Sequence, residues 1–112
     1  MAKFIFKLES ILSIKTKLED QAKAEYGMEV LKLREEEQKL AILQERKDNF
    51  EYQLSQAVTG RLDIINIKRL EDAVENIKYN IKLQILVIRK QEERVARARA
   101  KLDNAMKERK IY

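Results

Sequence analysis

The stretch Thr59-Gly60-Arg61-Leu62-Asp63-Ile64-Ile65-Asn66-Ile67-Lys68-Arg69-Leu70 decides the fold. Gly60 is the one glycine between two long periodic segments, and Asp63 or Asn66 behind it carries the short oxygen acceptor that opens a new helix. A helix that stops near residue 58 and another that starts near residue 66, joined through residues 59 to 65, have only a short connection between them. Such a connection makes the two helices antiparallel neighbours. An uninterrupted helix in an intermolecular coiled coil is the competing reading, and it requires Gly60 to be helical at a cost of about 1 kcal/mol against alanine.

Working outward from the turn, the second segment keeps six successive a positions apolar: Ile67, Val74, Ile81, Ile88, Val95 and Leu102. Its d positions read Leu70, Ile77, Gln84, Gln91, Ala98 and Ala105, so the seam thins away from the turn. Before the turn, Leu33, Leu40, Leu43, Phe50, Leu54 and Ala57 keep the same spacing, with Glu36 and Lys47 as polar interruptions. Further back, Leu8, Ile11, Leu18 and Ala22 reach Tyr26 only through a four-residue step, the mark of a stutter. Folding back about the turn sets residues whose numbers sum to about 124 against each other, for example Leu54 with Leu70 and Phe50 with Val74.

The composition agrees. The chain has 112 residues with no proline and two glycines, 38% of it charged and 45% hydrophobic. Sheets and barrels need turn residues this chain lacks, while the regular apolar spacing excludes a solvated tail. The predicted fold is therefore all-α, a single long antiparallel two-helix coiled-coil hairpin with helices over about residues 4–58 and 66–112. This register leaves Phe4, Phe6 and Leu8 with no opposing residues, and Lys110-Ile111-Tyr112 carries no stop signal, so the natural chain is expected to run further at its C-terminus. The first twenty residues have no signal-peptide pattern and are expected to belong to the mature protein. The longest apolar run, Ile85-Leu86-Val87-Ile88, is far short of the roughly 20 residues of a membrane span.

Several chemistries drop out. Without histidine or cysteine there is no disulfide, no usual zinc set and no ordinary general base at neutral pH. Two glycines 33 residues apart make no phosphate loop, and the consecutive acids Glu35, Glu36 and Glu37 point about 100° apart on a helix and are expected to be solvated. No catalytic residue, cofactor or metal site is expected, and the chain is read as not an enzyme.

Charge and exposed apolar residues point to interaction. Residues 89–112 hold nine basic and four acidic side chains, against fifteen of each before them, so the net charge of +5 resides in the last 24 residues. Arg94, Arg97, Lys101 and Arg109 are candidates for an acidic protein partner, with i to i+4 pairing such as Glu93 with Arg97 as the plain alternative. Leu83, Ile85, Leu86 and Val87 fall outside the a and d positions and are expected to form an apolar patch that another surface covers. A nucleic-acid-binding coiled coil and a purely structural oligomer are the alternative functional readings. Nucleic acid is not expected, because Tyr112 is the only aromatic near the basic cluster. Self-association stays open.

The start Phe4-Ile5-Phe6-Lys7-Leu8-Glu9-Ser10-Ile11-Leu12, followed by Leu18-Glu19 and Ala22, resembles the opening of the flagellar export protein FliJ family. The similarity continues through Glu35-Glu36-Glu37-Gln38, the turn at Gly60, Leu70 and the basic second helix. The resemblance implies a cytoplasmic component of the flagellar type III export apparatus, peripheral to the membrane at the flagellar base and similar in shape to the stalk of rotary ATPases. Its implied partners are the flagellar export ATPase, whose ring it helps to assemble, the membrane export gate protein and export chaperones. Carried over by position, the gate-facing candidates are Leu43, Phe50, Leu70, Val74 and Ile77, all of which also fall at a or d positions of the seam. The family's members run further at the C-terminus, in agreement with the expected truncation.

Overall fold

The computed structural model describes residues 2–60 and 63–111, apart from the side chain of Ile111. Arg61 and Leu62, which fall within the turn expected over residues 59–65, and Tyr112 lie outside the described residues. Two helices make up the fold: α1 is Ala2–Thr59 and α2 is Ile64–Ile111. The chain is an all-α antiparallel coiled-coil hairpin.

Local chemistry accounts for both helix ends at the turn. The Gly60 amide donates to the Gln56 carbonyl at 3.2 Å, and the Thr59 hydroxyl donates to the same oxygen at 3.1 Å, closing the last turn of α1. Gly60 does not take a left-handed φ, and a Cβ placed on it would meet the Gln56 carbonyl at an ordinary 3.6 Å. Asp63, not Asn66, caps α2: its carboxylate accepts from the Asn66 amide at 3.2 Å and its carbonyl from the Ile67 amide at 2.9 Å. Gly27 is helical and open space surrounds it, so it interrupts nothing.

The helices divide into two compact units. The turn unit is Arg34–Arg89. Its seam buries Leu70, Val74, Ile77 and Ile88 of α2, against which Leu40, Leu43, Phe50, Leu54 and Ala57 of α1 are half-buried. Side chains of this size contribute on the order of 1.5–3 kcal/mol each when fully withdrawn from water. The expected polar interruptions are accommodated here. Gln84 donates its amide N–H groups to the Glu36 carbonyl at 2.9 Å and to the Glu36 carboxylate at 2.6 Å, across the two helices.

The terminal unit is Met1–Leu33 with Lys90–Tyr112. Two of its three buried apolar residues are alanines, Ala22 and Ala98, and the third is Leu102. Gln91 repeats the Gln84 arrangement one heptad on, donating to the Glu29 carbonyl at 2.9 Å and its carboxylate at 2.6 Å. The pairs Glu36–Gln84 and Glu29–Gln91 share one register, offset from the expected one by about one helical turn.

The N-terminal seam differs from the expected one. Leu18 is 48% exposed and Leu8 40%, whereas Glu19 is only 4% exposed and Lys15 is half-buried. The inward positions run Ile11, Lys15, Glu19, Ala22 and Tyr26, with two consecutive four-residue steps between residues 11 and 19. A stutter is therefore present, earlier than expected, and charged residues occupy it. Charge partners on α2, Glu108 for Lys15 and Arg109 for Glu19, account for that choice.

Candidate functional site

The basic candidates lie in the terminal unit, where their surroundings differ. Arg94, Arg97 and Lys101 follow three- and four-residue steps and share one exposed face of α2. Arg97 pairs with Glu93 at 3.7 Å within its own helix, the alternative expected from spacing, and Lys101 reaches Glu25 of α1 at 3.9 Å. Among the described residues Arg94 forms no ion pair. Arg109 behaves otherwise: it occupies the next a position after Leu102 and its guanidinium pairs with the buried Glu19, which also holds Lys23 at 3.5 Å. It is thus part of the helix–helix seam. Nearby, Arg99 sits 5.6 Å from the centre of the Tyr26 ring and pairs with Asp103 at 3.2 Å.

These pairings set the electrostatics of the unit. Glu93 and Glu25 offset part of the charge of Arg97 and Lys101, and Asp103 and Glu19 that of Arg99 and Arg109, while Arg94 keeps its charge open on the exposed face, and Arg89, Lys90, Lys107 and Lys110 are exposed as well. On the same unit, Phe4, Ile5, Phe6, Leu8 and Leu12 of α1 are exposed, with Phe6 at 73%.

The turn unit holds the other candidates. Leu70, Val74 and Ile77 are buried and Leu43 and Phe50 half-buried, all directed into the seam. Their apolar surface is already used in pairing α1 with α2. The expected four-residue apolar patch does not form one surface. Leu83, Leu86 and Val87 are exposed at 44%, 53% and 43%, whereas Ile85 is half-buried on another side of α2. Residues 83 and 85 stand about 200° apart round a helix, which prevents a shared face. Tyr79, 60% exposed and four residues before Leu83, takes the place of Ile85. The i to i+4 step from Tyr79 to Leu83 is the sequence signal for it.

One acidic residue also departs from expectation. Glu35 and Glu37 are exposed, but Glu36 turns into the seam, accepting from Gln84 and from Lys39 at 3.1 Å. The Gln84 amide first, and Lys39 second, hold the Glu36 carboxyl below the usual carboxylate range. Among the described residues, no group of three or more acidic, histidine or cysteine side chains is placed to hold a metal ion, and no helix is long and apolar enough to cross a membrane.

A family model described as Flagellar FliJ protein matches residues 4–112. No curated protein and no solved structure matches the chain.

Proposed function

The chain belongs to the flagellar FliJ protein family, and on that premise we propose that it is a stalk-like, non-enzymatic component that promotes export ATPase ring assembly and links the ring to the export gate and to export chaperones. Family membership makes it a protein of the flagellar export machinery. The observation that carries the finer reading is the family match across residues 4–112 of a two-helix antiparallel hairpin, a form suited to bridging partners.

The terminal unit is the ATPase-facing end in this reading. Arg94, Arg97 and Lys101 supply positive charge to an acidic ring surface, and Arg109 acts indirectly by holding α2 to Glu19 of α1. Leu43, Phe50, Leu70, Val74 and Ile77 serve the gate contact by fixing how α1 and α2 present their outward faces. Tyr79, Leu83, Leu86 and Val87 offer the apolar surface for a further protein partner. The protein works at the cytoplasmic face of the membrane at the flagellar base.

Mixing the protein with the cognate flagellar export ATPase, and following both hydrolysis and ring formation, tests the reading. Faster hydrolysis together with more ring is the expected result. If neither changes, the assignment as an ATPase stalk is wrong.

A further inference from the structure

The two units hold their helices together by different means. In the turn unit the seam is built on Leu70, Val74, Ile77 and Ile88, with one polar layer at Gln84 and Glu36. In the terminal unit, Ala22, Ala98 and Leu102 are the only buried apolar side chains among the described residues. Half-buried Tyr26, Leu33 and Val95 add apolar surface, and five polar or charged attachments cross between the helices: Gln91 on Glu29, Lys101 with Glu25, Arg99 over Tyr26, Arg109 with Glu19, and Lys15 with Glu108 at 3.3 Å.

Such a seam has a weak balance. Alanine withdraws little apolar area, and partly exposed ion pairs add little in water. The buried Glu19 also loses hydration that its cations must replace. When these helices part, each loses the packing partner of its inward face, and packing of such a face supplies most of a helix's stability in a protein.

We infer that the terminal unit is a clasp that opens as one cooperative element while the turn unit stays paired. Opening separates Ile11–Leu33 of α1 from Gln91–Arg109 of α2 and frees Tyr26, Leu33, Val95 and Leu102 to pack on another helix. Simple fraying differs, because it grades inward residue by residue from the chain ends. Cooperative opening gives all amides of the unit one shared opening equilibrium.

Hydrogen exchange of the whole chain, read by mass spectrometry, separates the two. In the wild type, amides across 15–33 and 91–105 should exchange at least about tenfold faster than those across 40–54 and 70–88, with one common protection factor. Replacing the inner polar layer, Glu29→Leu with Gln91→Leu, should slow exchange by a similar factor across both terminal segments, including residues 15–22 that lie toward the chain end. Slowing confined to the neighbourhood of residues 29 and 91 would mean fraying and overturn the clasp, as would equal protection in the two units of the wild type. The wild-type comparison stands without any variant, and sedimentation of the double variant separates real clasp closure from new self-association. No readout depends on an ATPase, so the clasp and the export role succeed or fail separately.

Discussion

At the scale of single residues, the pair Gln84 and Gln91 shows what a sequence conceals. Both stand at d positions where large apolar residues are expected, and read alone they only thin the seam. Each instead satisfies a backbone carbonyl and a carboxylate of α1 through one amide, and the two acceptors, Glu36 and Glu29, are themselves one heptad apart. A polar layer of this kind fixes register at some cost in stability. The sequence marked Glu36 as an interruption without showing which side chain across the seam would answer it. A pH effect follows. The Glu36 carboxyl is held low chiefly by Gln84, so its contribution is fully present above the unfolded carboxylate pKa of about 4.3 and is lost as pH falls through the lower folded value. Thermal melts of wild type and Gln84→Leu should therefore differ in acid dependence. Relative to neutral pH, the wild type should lose more stability than the variant below about pH 4. Parallel curves over that range would show that the Gln84 bond does not favour ionised Glu36.

At the scale of the helices, legibility tracks how much apolar surface each heptad commits. Along α2, six apolar a positions in a row left one possible phase, and Val74, Ile88 and Leu102 are indeed buried. The start of α1 was harder. Leu8 and Leu18 look like seam residues by type, yet the phase set by Leu33 through Ala57 carries back to Glu19 and Lys15, whose partners lie ninety residues away in the chain. Nearby hydrophobicity could not reveal a charge pair made at that separation. The two positions make a direct contrast in stability. Leu70→Ala, in the turn unit seam, should cost roughly 2–5 kcal/mol, whereas Leu18→Ala, at a half-exposed site, should stay within about 0.5 kcal/mol of wild type. Urea unfolding curves with matched slopes measure both. A Leu18→Ala loss as large as that of Leu70→Ala would place Leu18 back in the seam.

At the scale of the whole molecule, the hairpin form was legible from one glycine, an aspartate cap and the heptads on either side. The interaction surfaces were legible only in outline. Sequence supplied nine basic residues after residue 88, but not the division of labour in which Arg109 is used internally on Glu19 while Arg94, Arg97 and Lys101 remain on an exposed face. That division decides how the export role is tested. Exposed ion pairs are worth about 0–1 kcal/mol each, so Arg97→Glu alone should weaken ATPase binding only modestly. The triple reversal Arg94→Glu, Arg97→Glu and Lys101→Glu changes the charge of that face by six and should weaken binding at least about tenfold at low salt, with the difference shrinking as the Debye length shortens. Folding should survive it, because none of the three side chains is buried. Arg109→Glu is a poor probe of the same surface, since it places a second carboxylate beside buried Glu19 and disturbs the seam itself. Leu86→Glu, on the exposed apolar stripe, should spare ATPase binding and disturb only the partner that covers Tyr79, Leu83 and Val87. Titrations of the ATPase at several salt concentrations compare these variants directly. If the triple reversal binds like wild type and Leu86→Glu abolishes binding, the ATPase contact belongs to the apolar stripe of α2, and the basic face is solvated surface.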